Sequence, residues 1–109
     1  MATDTLEFEA QLHRDGYLEI KTRLLDQGAD TSLHRHLFDT RLLVLEGETT
    51  ITCGGVRHTY RVGDVLEIDA GVEHSEQYPE TRFGFVVGLR HKPASQSPGA
   101  TVQLTSETP

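Results

Sequence analysis

His34 and His36 stand two apart in the run Leu33-His34-Arg35-His36-Leu37. In extended chain, successive side chains point to opposite faces, so residues two apart share a face. Two imidazoles placed that way are close enough to share an ion, and imidazole suits Zn, Cu, Fe and Ni. A third histidine, His74, follows at the end of Ala70-Gly71-Val72-Glu73-His74. Six histidines in an acidic chain of 109 residues make metal coordination the first chemistry to weigh. The other three read as solvated bystanders: His13 on a helical stretch, His58 in a polar hairpin strand and His91 near the tail. Cys53 reads as a small buried residue rather than a nucleophile. No Ser-x-x-Lys, Gly-x-Ser-x-Gly or Gly-rich phosphate loop appears.

The elements that must position these histidines are mostly strands. Thr5 to Arg14 reads as a short helix, with Thr5 as N-cap, Phe8 and Leu12 on one face and Gly16 just past the end. From Tyr17 to Leu24 the period changes to that of a half-buried strand, and Gln27-Gly28-Ala29-Asp30 reads as a turn. Further strands are expected near 31–37, 40–46, 48–53, 56–61, 64–69, 72–78 and 82–90. Gly54-Gly55 is a strong two-residue hairpin signal. Gly47, Gly63-Asp64 and Ala70-Gly71 mark other turns. Short strands at even spacing point to an all-β sandwich or barrel. The organisation expected is an N-terminal helix and extension (1–15), a barrel (16–91) and a loose C-terminal extension (92–109), with an edge strand at Thr101 to Leu104.

Composition narrows the classes of partner. Seventeen acids against ten bases give a net charge of −7, which repels phosphate backbones, so nucleic-acid binding is not expected. The apolar run Leu42 to Leu45 is far too short for a bilayer span, so no membrane partner is expected. No charged-then-apolar leader opens the chain and a single Cys53 cannot form an internal disulfide. Both fit a cytoplasmic location.

Gly28-x5-His34-x-His36-x3-Thr40-x6-Gly47 resembles the first motif of the cupin family, G-x5-H-x-H-x3-4-E-x6-G. Gly63-x5-Asp69-x-Gly71-x2-His74-x3-Tyr78 is similar to the second, G-x5-P-x-G-x2-H-x3-N, and fifteen residues separate the two. The resemblance covers Gly28 to Tyr78 closely. It implies a small single-domain cupin: a double-stranded β-helix, a jelly-roll-like barrel with a central pocket. It further implies that His34, His36 and His74 ligate one divalent transition metal, whether Fe, Mn, Ni, Co or Zn.

Thr40 departs from the family pattern, standing where cupins usually carry a glutamate ligand. Three neutral imidazoles leave the full +2 charge on the ion, giving a stronger Lewis acid with open positions. Such three-His sites resemble those of some cupin dioxygenases acting on thiols or diketones. Asp39 is expected to pair with Arg41 or another arginine, or to cap the turn. Arg41, if it faced the pocket, would attract an anionic substrate. Tyr78 shares parity with His74 and Glu76 and is the other candidate for a catalytic role. Three functions stay open: a small-molecule metalloenzyme of oxygenase or lyase type, a binding or sensor module without catalysis, and a metal-free isomerase. A homodimer is expected, because an antiparallel sandwich has edges to cover.

Overall fold

A computed structural model describes residues 4–79 and 81–91 of the chain. The tail and its expected edge strand at Thr101 to Leu104 lie outside the described residues. One helix precedes eight strands: α1 (Thr5–Arg14), β1 (Glu19–Leu25), β2 (Ala29–Asp30), β3 (Phe38–Glu46), β4 (Glu48–Cys53), β5 (Val56–Arg61), β6 (Val65–Ile68), β7 (Ser75–Tyr78) and β8 (Phe83–His91). The strands form two four-stranded antiparallel sheets, in the orders β1-β8-β3-β6 and β2-β7-β4-β5. The all-β class, the helix and the hairpin all stand as expected.

Alternation along β3 separates two environments. Leu43 points outward to α1 and joins Phe8, Leu12, Tyr17 and Val86 in one buried cluster. Leu42 and Val44 face the other way, into a second cluster around Phe83 and Phe85 between the sheets. The helix thus closes the outer face of one sheet while the inner faces enclose a cavity. Its start differs from expectation: Asp4, not Thr5, is the N-cap, and its side chain makes no capping bond. At its end Gly16 adopts φ +85° and Tyr17 N donates to Leu12 O at 2.8 Å, which turns the chain into β1.

The turn glycine Gly47 is demanded twice over. Its φ is +77°, and a Cβ there would lie 2.2 Å from the carbonyl oxygen of Arg82. Gly54 and Gly55 take φ +60° and +80° in the β4–β5 hairpin, as a primed turn requires.

Two expectations fail around the first histidines. Ala29–Asp30, read as part of a turn, is the short strand β2 on β7. Residues 31–37, read as a strand, lie outside the ladders except for a single bridge between His34 and His74. The local chain alternates as a strand should, yet it finds one partner residue instead of a neighbouring strand. Similarly, the expected strand 72–78 is reduced to β7, because Ala70 to Val72 turns sharply before His74. Cys53 is exposed at the hairpin end rather than buried. Among the described residues, no helix is long and apolar enough to cross a membrane.

Candidate metal centre

His34 reaches the interior from the irregular segment between β2 and β3. His36 follows it, and His74 comes from the turn before β7. The bridge fixes their spacing: His34 N donates to His74 O and His74 N donates to His34 O, both at 2.9 Å. Gly71 N donates to His36 O at 2.9 Å, tying the second histidine to the same turn. Ring centroids then stand 4.9 Å apart for His34–His36, 4.5 Å for His34–His74 and 5.4 Å for His36–His74. His36 stacks on Phe38 at 4.7 Å and 17°, which limits its rotation.

Tautomers follow from the hydrogen bonds. Nδ1 of His34 lies 2.7 Å from Ser32 O, and Nδ1 of His74 lies 3.0 Å from Val72 O. A carbonyl only accepts, so each Nδ1 carries the proton and donates it. Each Nε2 then faces inward, and that of His74 lies within hydrogen-bond distance of Glu76, to which it donates while the ring is protonated. Orienting a ligand ring through its other nitrogen is the usual support of a metal site.

Glu76 completes the group. Its Oε2 is 3.2 Å from His74 Nε2 and 3.9 Å from His34 Nε2. One donor atom from each of His34, His36, His74 and Glu76 lies within 4.8 Å of every other. Donors held about 2.0–2.2 Å from one ion stand at most about 4.4 Å apart, so an ion would draw these four slightly together, and three imidazoles with a carboxylate are a set that transition metals favour. The residues present fit a divalent ion.

This fourth member was missed in the sequence. The first motif places its carboxylate at the position of Thr40, whereas here the carboxylate comes from β7. Its signal was present: His74-x-Glu76 repeats the spacing of His34-x-His36, and strand parity places both on one face. The three imidazoles expected from the resemblance thus stand with a carboxylate beside them. An ion held by all four would carry a net charge of +1 rather than +2.

Electrostatics bind these groups together. Burial pushes the Glu76 carboxyl up, but hydrogen bonds from His74 and Tyr78 and the nearby imidazoles outweigh it, holding the group below the usual range. The hydrogen bond to Glu76 raises His74, against the opposing effect of burial. Tyr78 OH donates to Glu76 Oε1 at 2.8 Å. Burial, and then the Glu76 charge, push the Tyr78 phenol well above its ordinary value. Tyr78 is thus a proton-bearing donor that orients the carboxylate.

Beside this cluster lies a cavity of about 160 Å³, bordered by His36, His74, Glu76, Tyr78 and Thr40 and walled by aliphatic and aromatic side chains of both sheets. Arg41 is not among its lining residues. It points to the α1 side, hydrogen-bonded to Asp15 and Glu67 and lying 4.6 Å over the Tyr17 ring. Asp39, on the same outward face, accepts from Arg90 Nε at 3.0 Å, from Arg90 Nη2 at 2.8 Å and from Ala70 N at 2.8 Å. Of the partners expected for Asp39, it is a different arginine from Arg41 that pairs with it.

The family model of the cupin domain (Cupin_2) matches residues 22–82. The chain belongs to the cupin family. Solved cupins share its fold. A cupin-2 domain containing protein from Shewanella frigidimarina NCIMB 400 superposes with a TM-score of 0.55 at 20% identity, over 67% of this chain and 69% of that one. A cupin superfamily protein from Desulfitobacterium hafniense DCB-2 gives 0.56 at 19% identity, over 69% and 80%. A cupin 2 conserved barrel domain protein from Salinispora arenicola CNS-205 gives 0.57 at 15% identity, over 77% and 70%. Among curated proteins, none matches the chain. Relative to the family pattern, this cupin differs in where its carboxylate stands: on β7, with a threonine lining the same cavity at the usual position on β3.

Proposed function

We propose that this cupin is a metal-dependent enzyme of oxygenase or lyase type acting on a small molecule. His34, His36, His74 and Glu76 hold its ion, which is Fe, Mn, Ni, Co or Zn. The observation that carries the reading is the convergence of four donor atoms within 4.8 Å, two of them Nε2 atoms whose rings are fixed by backbone carbonyls. Bound there, a divalent ion supplies Lewis acidity toward an oxygen-bearing ligand. The chain does the rest. Glu76 contributes the anionic donor, Tyr78 holds that carboxylate in place, and the cavity walls exclude water from the ligand. Arg41 has no part at the cavity in this reading. A cytoplasmic homodimer with no nucleic-acid or membrane partner belongs to the same proposal.

A second reading, a binding or sensor module without turnover, is favoured by one observation. Apart from the donor cluster and Tyr78, no acid or base among the described residues lines the cavity. Activity that survives a chelator would instead indicate the metal-free isomerase.

The test is metal content by mass spectrometry on protein purified without a metal column, beside His36→Ala and Glu76→Gln. Near-stoichiometric metal that falls in both variants is the expected result. A wild-type protein that carries no metal and refuses added metal would overturn the proposal.

A further inference from the structure

The cavity carries a polar edge and is walled mostly by apolar side chains. Its polar edge is His36, His74 and Glu76 of the donor cluster with Tyr78 and Thr40; Leu42, Ile51, Leu66, Phe85 and Val87 make up much of the rest. Among the described residues no lysine or arginine lines it. The one further polar wall group, Thr49, already donates its hydroxyl to Gln77 O at 2.9 Å. A second charge on a bound molecule would therefore be buried without a counter-charge. Extra hydroxyl groups would lose their water without gaining partners, and both losses disfavour binding. At about 160 Å³ the space matches the apolar cavities of roughly 150 Å³ that accept benzene. Thr40 matters at the polar edge, since a short neutral side chain leaves room where a glutamate would fill the wall.

We infer that the site takes a compact ligand with an uncharged apolar body and a single oxygen head group, the head meeting the ion. The head rests on the metal reading of the cluster; the body rests on the cavity walls alone. Sugars, phosphorylated metabolites and free amino acids are excluded as ligands, since each carries polar or charged groups beyond one head.

Cobalt-loaded protein reads the head through its visible absorption, and methyl NMR of Leu42, Ile51, Leu66 and Val87 reads the body. Benzene is expected to shift those methyls with or without cobalt. Hexanoate is expected to shift them and to change the cobalt spectrum. Adipate and 6-aminohexanoate, which differ only in a charged far end, are expected to bind at least tenfold more weakly. Ile68→Phe, which fills the cavity, is expected to abolish the benzene shifts while cobalt still loads. Protein that does not load cobalt but binds benzene would sink the metal reading and leave the apolar body standing. Methyls that ignore benzene, or adipate binding as tightly as hexanoate, would overturn the inference itself.

Discussion

The backbones of His34 and His74 hydrogen-bond to each other in both directions at 2.9 Å, forming an isolated bridge between two otherwise irregular segments. The two side chains are thereby placed by main-chain atoms that no side-chain substitution removes. His34→Ala should accordingly keep the fold, with a metal-free melting temperature close to that of the parent. Its metal affinity should fall by more than the 10–100-fold typical of losing a supporting partner. Thermal unfolding and competitive metal titration check the two halves separately. A large drop in melting temperature would show that the ring, and not the bridge, orders the segment.

Glu76→Gln removes the one anionic donor while keeping shape. Affinity for a divalent ion should fall about 10–100-fold. Adding Thr40→Glu restores a carboxylate at the position the family ordinarily uses, on the opposite wall of the same cavity. The double variant should recover part of the lost affinity, measured by the same titration. No recovery would mean that the geometry around Thr40 has diverged too far to host a ligand.

Gly88 on β8 lies beneath the helix. A Cβ there would fall 2.8 and 2.9 Å from the two Cδ atoms of Leu12 and 3.0 Å from Tyr17 Cβ. Leu12 is fully buried, so it has nowhere to retreat. Gly88→Ala should cost about 1–3 kcal/mol by overpacking. For a domain of this size that is a loss of roughly 4–8 °C in melting temperature per kcal/mol. A change under about 2 °C by calorimetry would mean that the helix seat is looser than drawn.

Asp39 is 1% exposed and anchors both Arg90 and the amide of Ala70, which opens the turn leading to His74. Asp39→Asn keeps an acceptor for the amide but loses the charge, and should cost about 1–3 kcal/mol. Asp39→Ala leaves the half-buried Ala70 N–H unmet as well and should cost more than the asparagine. Denaturant unfolding of the pair measures the difference; equal losses would mean that the turn does not depend on this bond.

Much of this was legible in the residues. Phe8 and Leu12 four apart, with Gly16 beyond, specified α1, because local periodicity and a left-handed glycine are local properties. Gly54-Gly55 specified its hairpin for the same reason. The segment 31–37 misled because alternation says which face a side chain takes but not whether a neighbouring strand exists. β2 was hidden because two residues carry no pattern. His34 and His36 came from spacing and His74 from the resemblance to the second cupin motif; the spacing of His74-x-Glu76 gave the face of Glu76, but its approach to His34 spans two motifs and is set by the fold. Arg41 was decided by parity with its neighbour: Thr40 lines the cavity, so the next residue on β3 faces the helix.

The pairing of β1 with β8 brings Glu19 opposite Leu89, joining the two ends of the barrel across almost its whole sequence. Folds dominated by such distant pairings collapse slowly, in milliseconds to seconds, because loop-closure entropy must be overcome before the contacts form. During synthesis the four-residue cluster cannot assemble until the ribosome has released β7, because Glu76 lies on that strand.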